Sequence, residues 1–402
     1  MIRRVQPLLL CAISLLCLAA PGTAAVSAIP DTPAIPDAAG EAAARMRRAR
    51  RIAAAMDDRT LAAQVILTGI DGKAALPGAM TELLRAVPAG GIMLFRYNLS
   101  IEKDQIAPFL ASIVSLVADA SGVPPFMAVD HEGGAVHRFG AGVGRLPPPL
   151  SYWEQVPSQG REAVLEAVET AAFQSAREIR ALGVTVNLAP VAEVLTDENR
   201  PFLDDRSYGP DAAFVEAAAA AFIRGMEKGG ILSVVKHFPG NTGEDPHKNA
   251  ASLAADRDAL KLMIEPMAAL LQTEHPPMVM ISHALVRAWD SEQSASLSPA
   301  VIGNWLRGEL GYSGVVLADD FSMGGVIAPL LSAEQMAVAA LNAGVDMVMA
   351  WPRNLTATHR AIRAAITENR LSRERLREAA ARIISEKIRA GIIGAEGNQN
   401  EE

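Results

Sequence analysis

Two acids, Asp319 and Asp320, follow the apolar run Gly314–Ala318 (GVVLA) directly. A short carboxylate fixed at the end of such a run can act as a nucleophile or an electrostatic stabiliser. It can equally cap the segment after Ser322. A second group lies in the loop Pro239–His247 (PGNTGEDPH), where Asp245 and His247 are two residues apart. In an extended loop that carboxylate can fix the tautomer of the imidazole and raise its basicity, making His247 a proton donor and acceptor. The alternative is a polar surface loop. Lys236, His237 and Arg206 offer donors suited to hydroxyl or carboxylate groups.

Other chemistries lack their patterns. The chain has no His-Glu-x-x-His zinc motif, no Walker-type loop and no Gly-x-Ser-x-Gly elbow. His237, Asp245 and His247 are close in sequence, but neither a metal nor a cofactor is expected.

Something must hold these groups together. Eight β-rich runs alternate with helical patterns, at 63–68, 90–95, 125–130, 184–189, 231–236, 277–282, 314–319 and 345–350. Several are continuously apolar, as strands buried on both faces are. Residues 161–182 repeat Val164, Val168, Ala171 and Phe173 along one side, and Gly183 supplies a stop. In 371–390, Ser372 is a candidate N-cap and Leu376, Ala379 and Ile383 share a face. Eight such units predict an α/β fold, a (β/α)8 TIM-type barrel in a single catalytic domain. The alternative, a doubly wound open sheet, lacks a Gly-rich dinucleotide fingerprint.

A barrel of this kind does its chemistry at the C-terminal ends of its strands. The unusual polar residues fall there: Asp130-His131-Glu132-Gly133-Gly134, Asn187, Lys236-His237, Ser282-His283 and Asp319-Asp320. Trp351 follows the eighth run, where it could stack on a sugar face or simply pack the rim.

Of the 402 residues, 50% are hydrophobic and 20% are charged, which excludes a disordered chain. The net charge of -8 argues against nucleic acid as a partner. Arg3 and Arg4, the apolar run Leu8–Ala20 and the small residues through Ala28 have the order of a secretory signal peptide. That run is shorter than the roughly 20 residues a spanning helix needs. Both cysteines, Cys11 and Cys17, fall within it, so the exported chain would carry no thiol. The expected organisation is a signal peptide over 1–28, a linker over 29–40, the barrel over 41–393 and a polar tail over 394–402. The expected product is a monomer in the periplasm or secreted, with no membrane span once the signal is removed.

Seven segments together resemble family 3 glycoside hydrolases of the single-domain β-N-acetylglucosaminidase type. They are Ala128–Phe139 (AVDHEGGAVHRF), Asn187–Val191 (NLAPV), Asp205–Gly209 (DRSYG), Lys236–Gly240 (KHFPG), Asp245–His247 (DPH), Leu297–Leu317 and Asp319–Met323 (DDFSM). The resemblance spans about residues 56–392. It implies that Asp319 is the nucleophile and His247 the general acid/base, with Asp245 as its dyad partner. It implies that Asp130, Arg138, Arg206, Lys236 and His237 hold the non-reducing sugar. The implied activity is retaining hydrolysis of terminal β-linked N-acetylglucosamine from peptidoglycan or chitin-type fragments. The alternatives are a sugar-binding barrel with a degenerate loop, a family 3 β-glucosidase, or a phosphorylase.

The chain departs from the family pattern in five ways. Asn241 stands for the second histidine of the Lys-His-Phe-Pro-Gly segment, and the loop after it is about two residues shorter. Pro246 separates the dyad members and favours extended backbone at Asp245. His131 replaces a common glutamine and Ala135 a common arginine.

Overall fold

Eight short apolar segments form the strands on which everything else is mounted. They are β1 (Ile66–Gly69), β2 (Gly91–Leu94), β3 (Phe126–Val129), β4 (Val186–Asn187), β5 (Leu232–Phe238), β6 (Met278–Ile281), β7 (Val315–Ala318) and β8 (Val348–Met349). Every residue in them is buried, as the continuous apolar runs predicted. The computed structural model describes residues 38–140, 142–245, 248–249, 251–323 and 331–394. The strands all belong to the unit that begins at Ala42.

All pairings are parallel, in the order β8-β1-β2-β3-β4-β5-β6-β7. Leu67 pairs with Met349 on one side of β1 and with Gly91 on the other. The ring closes between the last two strands. There the Met347 N–H donates to the Val316 carbonyl at 3.1 Å, and the Ala318 N–H donates to the Met347 carbonyl at 3.0 Å. This is the (β/α)8 arrangement expected from the alternation of elements. In β5 the register against β6 slips between Val235 and Phe238, and the residues inside the slip are Lys236 and His237.

The helices begin where short polar side chains cap them. Asp211 accepts from the Phe214 N–H to start Ala212–Lys228, and Ser372 accepts from the Arg375 N–H to start Arg373–Arg389. Helix Arg161–Ala181 packs on Ala212–Lys228. Gly225 permits that contact, because a Cβ there would sit 2.4 Å from the Glu169 carbonyl oxygen. The buried face of Arg161–Ala181 runs through Val164, Val168, Ala172 and Ile179. Phe173, expected on that face, is only partly buried and lies under the Arg177 guanidinium.

Three local expectations change. The first strand starts at Ile66, not 63, because Asp57 caps a helix over Asp58–Gln64 that takes the intervening residues. A parallel pair, Ser252–Leu253 with Leu285–Val286, lies outside the barrel and left no pattern in the sequence. The first described helix, Ala38–Ala55, begins inside the stretch read as linker. The stretches expected as a signal peptide and as the rest of that linker lie outside the described residues, as does the tail beyond Gly394. Among the described residues, no helix is long and apolar enough to cross a membrane.

The N-terminal side of the β7–β8 pair is fixed by a buried carboxylate. Asp346 accepts from the Val316 N–H at 3.0 Å and pairs with Arg307, Arg375 and Arg382 at 2.6, 2.8 and 3.0 Å. Burial pushes its carboxyl up, and the three guanidinium groups more than reverse this.

Candidate active site

At the C-terminal end of the barrel lies a cavity of about 290 Å³. Asp319 enters it directly after β7. The Asp319 N–H donates to the Ile281 carbonyl of β6 at 3.1 Å, and its Oδ1 accepts from the Asp320 N–H at 2.9 Å. Burial raises its carboxyl, but His237, His283, the Asp320 N–H and Lys236 outweigh burial and hold it below the usual aspartate value. An ionised, oriented carboxylate on a cavity wall is what a nucleophile requires.

His283, after β6, supports this strand end from beneath. Its Nε2 is 3.0 Å from the Asp320 main-chain oxygen and its Nδ1 is 2.7 Å from Ser296 Oγ. A carbonyl only accepts, so Nε2 carries the proton. Burial holds the ring below the usual imidazole value and so neutral, and Nδ1 then accepts from the Ser296 hydroxyl.

The opposite wall carries charge in compensated form. Four strands around the ring from β7, the residues after β3 supply Asp130, Glu132 and Arg138. Lys236 Nζ is 3.0 Å from Asp130 Oδ1 and also pairs with Glu132. Arg138 reaches Asp130 Oδ2 at 3.3 Å. Arg206 grips Glu132 with two bonds, of 2.8 and 3.0 Å, while its guanidinium lies 5.4 Å from the centre of the Phe202 ring. Burial alone would neutralise Glu132; Lys236 and Arg206 instead hold it far below the usual glutamate value. Burial opposes the charge on Lys236, and Asp130 and Glu132 restore it and raise its pKa. The result is a rigid row of hydrogen-bonding groups facing the cavity.

His237 completes the row. Its Nδ1 is 2.8 Å from Glu193 Oε1. Glu193 is buried and also accepts from Asn241, through the main-chain N–H at 2.6 Å and the side-chain amide at 3.0 Å. Asn241, one of the departures from the family pattern, therefore anchors the carboxylate that orients His237. The backbone after β3 is clamped in a comparable way. Asn187 Nδ2 donates to the His131 carbonyl and its Oδ1 accepts from the His131 N–H, both at 2.9 Å, fixing the segment between Asp130 and Glu132.

The structure thus gathers Asp319, Asp130, Arg138, Arg206, Lys236 and His237 around one cavity. Asp245 does not line it; its carboxylate pairs with Lys248 at 2.9 Å. His247 and Pro246 lie outside the described residues, so the Asp245–His247 pair remains an expectation from sequence. Glu193, Asn241 and His283 are supporting residues to which the sequence reading gave no role. Glu193 alone left a usable signal, as a single acid inside the apolar stretch Leu188–Leu195. Among the described residues, no group of three His, Cys, Asp or Glu side chains is arranged to hold a metal ion.

Comparison with known proteins identifies the family. The family model described as the glycosyl hydrolase family 3 N terminal domain matches residues 63–386. A beta-hexosaminidase of Methylococcus capsulatus is 35% identical over 272 residues, which are 67% of this chain and 77% of that protein. A family 3 beta-N-acetylglucosaminidase from Paenibacillus sp. superposes with a TM-score of 0.78 at 30% identity, covering 86% of this chain. The present chain spans 65% of that neighbour's length. Mycobacterium tuberculosis LpqI superposes with a TM-score of 0.72 at 27% identity, covering 83% of this chain and 95% of its own.

Proposed function

We propose that this chain, which belongs to glycosyl hydrolase family 3, is an exported retaining β-N-acetylglucosaminidase acting on peptidoglycan or chitin-type fragments. One observation carries the reading. Asp319 stands on one wall of the cavity as an ionised carboxylate, and the opposite wall is a row of paired donors and acceptors led by Asp130, Lys236 and His237. A sugar ring with its hydroxyls on that row would present its anomeric carbon to Asp319.

The steps follow. A lone pair of Asp319 attacks the anomeric carbon, and the bond to the leaving oxygen breaks. His247 gives its proton to that oxygen, so the leaving sugar departs as an alcohol. A covalent glycosyl-enzyme remains. His247, now neutral, takes a proton from water; the hydroxide oxygen displaces Asp319 and configuration is retained. Lys236, Arg138 and His237 hold hydroxyls of the sugar in the oxocarbenium-like transition state. The names of the relatives support the N-acetylhexosamine preference, and the leader-like residues 1–28 support export.

The test is release of an aryl group from a β-N-acetylglucosaminide and a β-glucoside, side by side, near neutral pH. Turnover of the first alone is expected. Turnover of neither would favour a sugar-binding barrel, and turnover of the second alone a β-glucosidase. Recovery of the processed chain from a periplasmic or culture fraction tests export.

A further inference from the structure

The floor of the cavity is largely thioether. Met93 of β2, Met280 of β6 and Met349 of β8 line it, with Leu188 just after β4. In a barrel each layer of side chains comes from alternate strands. These four come from the even strands, whereas Asp130, Lys236 and Asp319 come from the odd ones. Met93 pairs with Ala128 and Met280 with Leu317, each two residues before Asp130 and Asp319 and on the same strand face. The thioethers thus form the layer beneath the charged groups. A further methionine, Met323, lines the cavity four residues after Asp319, its N–H donating to the Asp320 carbonyl at 3.0 Å.

Leucine would pack such a floor as well; what sulfur adds is a reactive lone pair. The sequence from Leu18 onward holds no thiol, so the thioethers are the softest nucleophiles of the barrel. Met127, Met226 and Met278 are closed in the core, whereas the cavity methionines face a space that a small peroxide can enter. With hydrogen peroxide, the sulfur lone pair attacks one oxygen and the O–O bond breaks. The bound hydroxyl passes its proton to the departing hydroxide, which leaves as water. Sulfur is oxidised by two electrons to a sulfoxide, and the peroxide is reduced. The new oxygen only accepts hydrogen bonds. Met280 lies across from the slip in β5, between the pairs Val235–Val279 and Phe238–Ile281, so its sulfoxide stands beside Lys236 and His237. It competes for the donors that face the sugar.

We propose that this methionine floor is an oxidative modification site, at which a peroxide converts Met280, Met93, Met349 and Met323 to sulfoxides and thereby closes the sugar site. A bound sugar covers the floor and shields it. The inference rests on the glycosidase reading for its activity readout; the order in which the methionines oxidise is independent of that reading.

Treatment of the full-length protein with hydrogen peroxide, with and without N-acetylglucosamine, tests it. Turnover of an aryl β-N-acetylglucosaminide should fall about tenfold or more, as loss of a hydrogen bond from a charged donor implies. Peptide masses should show one added oxygen at the four cavity methionines before Met127, Met226 and Met278. The sugar should slow both changes. A protein with leucine at all four positions should keep most of its own untreated rate, and Met280→Leu alone should keep a larger share than the parent. Cavity methionines that oxidise no sooner than the core ones overturn the proposal, whatever the activity. So does oxidation of the floor without loss of rate or sugar affinity, or an equal fractional loss in the parent and the leucine variants. Should the untreated protein bind N-acetylglucosamine in calorimetry but turn nothing over, the hydrolase reading falls. A tenfold or greater loss of that affinity on oxidation then still upholds the modification site, and an unchanged affinity removes it. An untreated protein that neither binds nor turns over removes the sugar site and the proposal together.

Discussion

His283 Nε2 lies 3.0 Å from the main-chain oxygen of Asp320, the residue whose N–H holds Asp319 Oδ1 at 2.9 Å. The Ser296 hydroxyl and the imidazole thus hold Asp320 by its carbonyl, and Asp320 holds the proposed nucleophile by its N–H, in the neighbouring peptide unit. The ring acts through the backbone, as a positioning residue.

His283→Ala should lower kcat about tenfold or more while changing KM little, because the Asp319 carboxylate loses its support. It should also move the acid limb of the pH–rate profile upward. Both the imidazole and the Asp320 N–H favour the ionised carboxylate, and His237 and Lys236 from β5 remain beside it. His283→Gln, whose amide can still donate to the Asp320 carbonyl, should recover part of kcat. An acid limb that stays fixed in the alanine variant would reduce His283 to a packing residue.

Asp319→Asn should cut turnover of an aryl β-N-acetylglucosaminide by at least about 10³-fold, since the neighbouring Asp320 carboxylate is held by Trp351 and Ser322. Sugar affinity should persist, because the groups of the opposite wall are untouched. Steady-state rates paired with calorimetry distinguish this from global unfolding.

Glu193→Gln tests the orientation of His237. The carboxylate accepts from the imidazole and twice from Asn241. An amide of the same shape cannot accept all of these, and loss of one charge-assisted bond corresponds to about 10–100-fold. The loss should fall on kcat/KM. Glu193→Gln kinetics matching the parent protein would show that Asn241 alone suffices to set the ring.

His131 supplies a pH dependence of stability. It is fully buried, neither ring nitrogen has a hydrogen-bond partner among the described residues, and its ring packs on His137 and Phe139. Burial, with a smaller contribution from His137, pushes its pKa down from 6.5 to about 3. The unfolded chain therefore binds a proton below about pH 6.5 that the folded chain refuses until about pH 3. Stability is complete above that window and is lost as pH falls through it, by up to about 4 kcal/mol. His131→Gln, the residue common in the family, should flatten this loss in denaturant titrations at pH 7 and pH 4. An unchanged difference between the two pH values would contradict the assignment.

The barrel was legible because its strands are buried on both faces, and a continuous apolar run such as GVVLA can satisfy little else. The strand ends were legible for a related reason. Asp130, Lys236, His237 and Asp319 interrupt apolar runs where a barrel opens to solvent, so their positions along the chain carried their placement in space. Helix starts at Ser372 and Arg161 followed from local capping and periodicity.

Residues whose role depends on partners distant in the chain were not legible. Glu193 meets His237 across 44 positions, and His283 meets Asp320 across 37. Neither partner is marked by spacing, since strand register and the slip in β5 decide which side chains converge. The same holds for Asp346 and its three arginines, and for the methionines of the cavity floor. Sequence by itself determined the element order, the buried strands and the list of reactive groups. Tertiary structure decided how those groups pair, because hydrogen bonds and charge compensation act over a few ångströms in space and carry no memory of distance along the chain.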